Sequence, residues 1–280
     1  MTFSRNDAAA LASAAMESAR VHVLPRFRRL DPGEIAEKSG PGDLVTVADL
    51  ETEAALTAWI AAHLPSARVV GEEAAAADPA LASGLGSAEL AVVIDPVDGT
   101  WNFRVGLSVF GLILAVVEGG RTRWGAILDP VIGDRVEAWS DGPARLIGAD
   151  GATRALSCDR LTDPARMSGF IHTTYAPADR RGALHEAGLR FADMRALRCS
   201  AHEYRLIAMG QASFCLSFLL NPWDHLAGCL AVKRAGGVAR QLDGTAYGPG
   251  TMSAAPLLVA SNEEAWQIAS GIFRPALGLD

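Results

Sequence analysis

The run Leu90-Ala91-Val92-Val93-Ile94 contains no polar side chain and passes directly into Asp95-Pro96-Val97-Asp98-Gly99-Thr100. A continuous apolar stretch rich in β-branched residues reads as a strand covered on both faces, so the fold must cover both sides of a sheet. Carboxylates at the end of such a strand can share a hard divalent cation, and Mg²⁺ prefers oxygen ligands with water completing its octahedron. The segment after Gly99 and Thr100 can open a helix, whose free N–H groups suit a phosphate. Gly99, lacking a Cβ, lets the backbone approach such a group closely. Aspartates also serve turns and helix caps, so this stretch alone leaves both readings open.

Two further segments carry acidic groups at comparable places. Gly71-Glu72-Glu73 follows the short apolar stretch from Ala67 to Val70, and Asn221-Pro222-Trp223-Asp224 opens an apolar, helix-like run that closes in Ala235-Gly236-Gly237. Taken singly, these are solvated loop charges and an N-cap. Their order changes the reading. GEE, then DPVDGTWNF, then PWDHLAGCLAVKRAGG resembles the motif series of the inositol monophosphatase family. The resemblance runs from about Lys38 to near Asn262, and the pairing of DPxDGTxNF with a downstream WDxxAG is highly specific.

The resemblance implies an α/β fold, a layered α/β/α/β/α sandwich of the inositol monophosphatase and fructose bisphosphatase type. An α+β half (residues 1–145) would carry most metal ligands. An α/β half (146–280) would supply Asp224 and the substrate pocket. It further implies two to three Mg²⁺ ions per site. Glu72 and Asp95 would hold the first with the Val97 carbonyl, Asp95 would bridge to a second completed by Asp98 and Asp224, and Glu72 would touch a weaker third through water. Asp49 and Thr100 would orient the attacking water and accept its proton. Asp98, Gly99, Thr100, Ser200 and Ser217 would face phosphate and substrate, and Lys38 is the candidate on a loop beside the metals. Inhibition by Li⁺ and a cytoplasmic homodimer belong to the same expectation.

Departures from the family pattern fall on the substrate side. Counting back from Asp224 places Ser217 where inositol-specific members carry a glutamate, and Ser200 where they have an alanine. Trp101 replaces a small residue and either narrows the pocket entrance or packs in the core. His202, Glu203 and Arg205 share a helix that approaches the pocket, at least two of them read as a solvated face. The leading function is hydrolysis of a small phosphate monoester, a polyol or sugar phosphate with inositol 1-phosphate the best single candidate. Alternatives on the same fold are histidinol phosphate, fructose 1,6-bisphosphate and adenosine 3',5'-bisphosphate. A different class is an interaction protein with an incidental site, since one bacterial branch of the family binds transcription machinery.

Composition fits this reading. Half of the 280 residues are hydrophobic and a fifth are charged, as in a folded globular protein. A net charge of −7 argues against general nucleic-acid binding, and cations held by clustered carboxylates would reconcile it with an anionic substrate. Cys158, Cys199, Cys215 and Cys229 show neither CxxC nor zinc spacing and read as buried, reduced thiols. No targeting segment is evident, and the longest apolar run, Val109 to Val117, is too short for a bilayer.

Local patterns predict a helix from Asn6 to Leu30 kinked near Pro25, a mobile loop from Asp31 to Asp43, and a helix to about His63 capped by Thr46 and Asp49. A hairpin follows (110–118 and 122–128, turning on Gly119-Gly120), then a strand over 134–139. The second half alternates strand and helix through 168–173, 201–209, 213–219, 223–235 and 257–260. Ser261 and Glu264 have capping-box spacing before a last helix.

Overall fold

The computed structural model describes residues 2–37 and 44–279. Helix α1 (Arg5–Ser18) starts on Ser4, whose side chain accepts from the Asp7 N–H, and buries Ala8, Leu11, Ala12 and Ala15 at helical spacing. The helix is interrupted near Pro25 as expected, and its last turn ends at Arg26 rather than Leu30. The helix widens into a π turn over Ala19–Val23 and tightens into a 3₁₀ turn over Leu24–Arg26, where Pro25 lacks the N–H that an α-helix needs. Within the loop expected from Asp31 to Asp43, a 3₁₀ turn at Pro32–Glu34 leads into β1 (Ile35–Glu37), antiparallel to β2 (Leu44–Thr46). Residues 38–43, Lys38 among them, lie outside the described residues.

Thr46 and Asp49 form the predicted capping box of α2 (Val47–His63). Next come β3 (Arg68–Gly71), α3 (Glu72–Ala77), β4 (Leu90–Asp98), α4 (Thr100–Arg104), β5 (Gly111–Glu118), β6 (Arg121–Asp129), β7 (Asp134–Trp139), β8 (Arg145–Ile147) and β9 (Thr153–Ala155). These seven strands form one sheet in sequence order, with only the β3–β4 pair parallel. All nine residues of β4 are buried, as its apolar run requires. The sheet continues through Ala155, ten residues beyond the boundary placed at 145.

The second sheet contains β10 (Ser168–Ile171), β11 (Asp193–Arg195), β12 (Phe214–Ser217), β13 (Val238–Gln241) and β14 (Leu257–Ala260), in the order β11-β10-β12-β14-β13. Helices α5 (Arg181–Gly188), α6 (Ser200–Ala208), α7 (Pro222–Arg234) and α8 (Glu263–Leu277) accompany it. The last helix is capped one residue later than predicted. Asn262 accepts from the Ala265 N–H, while Ser261 donates to Asp159 at 2.8 Å.

Three apolar cores set the layers. One side of the first sheet (Val92, Ile94, Leu112, Leu114) packs on α1 and α2. Its other side (Val93, Ile113, Ala115) packs on α6 and α7, which also meet Phe170, Cys215 and Val259 of the second sheet. The far side of that sheet (Phe214, Leu216, Leu258) is covered by α5 and α8. The result is the α/β/α/β/α order, with α6 and α7 between the sheets. Glu203 and Arg205 on α6 are therefore 1 % and 5 % exposed, not part of a solvated face.

Candidate active site

The end of β4 aims two carboxylates at the gap between the sheets. Pairing with β5 is regular to Asp95, then shifts before resuming at Asp98 opposite Gly111. This irregularity, where Pro96 provides no N–H for the ladder, re-aims the side chains. Asp224 comes from the other direction, in the first turn of α7 after Pro222. Oxygens of Asp95, Asp98 and Asp224 lie within 4.8 Å of one another. Glu72, the first residue of α3, and Asp224 line a cavity of about 200 Å³ together with Asp98, Gly99, Thr100, Ser200 and Ser217. The three sequence segments thus converge.

The electrostatics of this cluster test whether it suits a cation. Asp95 is buried, and its Oδ1 has no hydrogen-bond partner among the described residues. Burial, then the charges of Glu72, Asp98, Asp224 and Asp49, push its pKa well above the ordinary carboxylate value. Desolvation, then the charges of Glu72 and Asp98, raise Asp224. Asp98 rises to about 6 through burial, against hydrogen bonds to its carboxylate from the Ala201 N–H at 2.5 Å and the Cys199 thiol at 3.0 Å. Crowded carboxylates with an orphaned oxygen are costly alone and suited to a hard cation. The residues present fit the metal expected from the sequence.

Asp49 and Thr100 are joined by a hydrogen bond. The Thr46 hydroxyl and N–H both donate to Asp49 Oδ2, at 2.5 and 2.8 Å, which leaves Oδ1 for the Thr100 hydroxyl at 3.2 Å. That hydroxyl also lies 3.0 Å from the Val97 carbonyl. Gly99 has a left-handed φ of 88°, and a Cβ there would come within 2.8 Å of the Val109 carbonyl. Only glycine fits at this point.

Several residues that hold the site carry no clear signal in the sequence. Glu53 accepts from the N–H groups of Glu73 and Ala74, at 2.8 and 2.9 Å, fixing the start of α3 and hence Glu72. His225 fixes the start of α7: Tyr204 and the Leu219 carbonyl engage its two ring nitrogens at 2.8 and 2.6 Å. Burial pushes its pKa down to about 4, so the ring is neutral, donating to the carbonyl and accepting from the phenol. His172 pairs with Glu203 at 2.7 Å on the cavity wall. Trp101 lines the cavity with Arg198 above its ring, at the pocket rather than in the core. The only helpful cue to His172 was its place near the end of the strand predicted over 168–173.

Residues 6–275 match the model of the inositol monophosphatase family. A fructose-1,6-bisphosphatase/inositol-1-monophosphatase of Thermotoga maritima is 26% identical over 211 residues, covering 75% of this chain and 76% of that protein. An inositol-1-monophosphatase of Bacillus subtilis is 29% identical over 217 residues, covering 76% and 78%. Among solved structures, a Thermotoga maritima IMPase superposes with a TM-score of 0.78 at 20% identity, covering 96% of this chain and 98% of that one, a likeness of fold. The chain belongs to the inositol monophosphatase family. It is a phosphoric monoester hydrolase, acting on small phosphate monoesters.

Proposed function

We propose that the chain hydrolyses a polyol or sugar phosphate with Mg²⁺ as its cofactor, and that inositol 1-phosphate is the first substrate to try. The observation that carries this reading is Asp95, buried with an unpartnered oxygen among Glu72, Asp98 and Asp224. Those four carboxylates and the Val97 carbonyl would hold the metal. When bound, Mg²⁺ supplies positive charge against the phosphoryl oxygens and the departing alkoxide, and makes water a better nucleophile.

The chain's own groups do the rest. Asp49, held by Thr46 through Oδ2 and bonded to the Thr100 hydroxyl through Oδ1, would accept the proton of the attacking water. Gly99 gives the phosphate close access to backbone, and Ser200 and Ser217 face the substrate across the cavity. Lys38 remains a candidate for the same site. Li⁺ inhibition and a cytoplasmic homodimer accompany the reading. Among the described residues no helix is long and apolar enough to cross a membrane.

Phosphate release from a panel of monoesters, with Mg²⁺ and with excess chelator, tests the proposal. Mg²⁺-dependent release is expected, and undiminished turnover in chelator would overturn the metal mechanism. A rising Li⁺ series at fixed Mg²⁺ checks the second cation position.

A further inference from the structure

The cavity wall facing the carboxylates has its own charge pattern. His172 follows β10, and its Nε2 lies 2.7 Å from Oε2 of Glu203. The other oxygen of Glu203 accepts from the Leu197 N–H at 2.8 Å, and the Cys215 thiol lies 3.5 Å from Oε2. Donors therefore converge on one buried carboxylate, and Nε2 carries the proton. Nδ1 of His172 has no hydrogen-bond partner among the described residues, and the ring lines the cavity. Burial lowers the pKa of this imidazole, the charge and hydrogen bond of Glu203 and the charges of Asp98 and Asp224 raise it, and the net direction is upward.

Arg198 lines the same cavity. Its guanidinium sits 4.3 Å from the centre of the Trp101 ring and makes no hydrogen bond or ion pair among the described residues. Its backbone is left-handed, with φ 55°, which costs free energy in a non-glycine residue. The Asn102 amide nitrogen holds this turn, 2.8 Å from the Leu197 carbonyl and 3.4 Å from that of Arg198. A strained backbone, a supporting amide and an aromatic platform thus present one cation with no anionic partner among the described residues. Ser217, where a carboxylate would accept hydrogen bonds from substrate hydroxyls, offers one buried hydroxyl 3.6 Å from Cys215 Sγ.

This wall therefore brings the Arg198 guanidinium to the cavity, and His172, in its protonated form between Glu203 and the cavity, adds an N–H donor at Nδ1. Building on the phosphatase reading of the site, we propose that His172, fixed by Glu203, and Arg198 recognise a second anionic group, a carboxylate or second phosphate, on the alcohol portion of the substrate. The reaction is the same: water takes the phosphoryl group and the alcohol departs with a proton. What changes is which alcohol fits.

The test compares esters of similar size with Mg²⁺ present: glycerol 1-phosphate against 3-phosphoglycerate, and fructose 1-phosphate against fructose 1,6-bisphosphate. In at least one pair kcat/KM should favour the doubly anionic member by about tenfold or more, mainly through KM, as expected for a charge-assisted contact. Arg198→Ala and His172→Gln should each reduce that ratio severalfold, and Arg198→Lys should restore part of it. Glu203→Gln should reduce it through KM, with the fold confirmed by its thermal transition. Equal kcat/KM within both pairs, or ratios untouched by these variants, would overturn this inference and leave the phosphatase reading standing. No phosphate release from any ester would overturn both.

Discussion

Asp95 concentrates the cost of the site in one side chain, because a buried carboxylate with like charges around it opposes folding when no cation is bound. Asp95→Asn should lower phosphate release by a factor of about 100 or more. The thermal midpoint of the chelator-treated protein should stay level or rise, since the substitution removes the repulsion. The same reasoning sets a pH dependence. Asp98 titrates near 6 in the fold, well above its ordinary value, so between the two values the folded chain binds more protons than the unfolded one. Its contribution to stability is present at low pH and is lost as pH rises through about 6, by up to roughly 1.4 kcal/mol per pH unit. Denaturant melts of chelated protein between pH 4 and 7 check this, and saturating Mg²⁺ should flatten or reverse the trend. Asp95, Asp98 and Asp224 were legible because each sits in a compact motif whose chemistry is local in sequence. The His172–Glu203 pair was not, since it spans 31 residues and forms only when α6 is enclosed between the sheets.

Helix α3 shows how an element can serve to place one carboxylate. It is six residues long, and the Glu53 carboxylate accepts from its first free N–H groups. Glu53→Ala leaves those donors unpaired and should cost about 1–3 kcal/mol in denaturant melts. It should also raise the Mg²⁺ concentration needed for half-maximal activity, because Glu72 loses its anchor. An unchanged Mg²⁺ requirement would show that Glu72 is placed by other means. A Cβ at Gly71 would overlap the same carboxylate, so Gly71→Ala should act in the same direction. Among elements, β4, the hairpin and α2 were readable from apolar runs, a Gly-Gly turn and a capping box. Strands β8, β9 and β11 are three residues each, too short to show alternation. At the last helix, Ser261 and Asn262 compete for the cap, and Asn262 takes it because Asp159 engages Ser261.

At the scale of the whole molecule, the carboxylate set joins the first sheet to the helix layer between the sheets: Asp95 and Asp98 end β4, Glu72 opens α3, and Asp224 comes from the first turn of α7. Mg²⁺ at about a hundred times its dissociation constant should therefore stabilise the chain by about 2.7 kcal/mol, seen as a rise in thermal midpoint. Asp224→Ala should lose most of that rise, and an undiminished shift would show that the metal does not bridge the seam. The interior also shields its thiols. All four cysteines are free and buried, and burial raises Cys158 to about 12 and Cys229 to about 11. Thiolate reagents at neutral pH should find almost no reactive group in the native protein and four after denaturation.

The cavity's two walls also belong to different parts of the chain. On the proposed reading, the hydrolytic wall would draw on β4, α3 and Asp224 of α7, whereas the wall that would meet the departing alcohol is built by β10, β12 and the approach to α6. A lineage can alter the second without disturbing the first. Such an arrangement lets one inherited reaction be handed to new substrates by drift at a few positions, with hydrolysis never interrupted along the way.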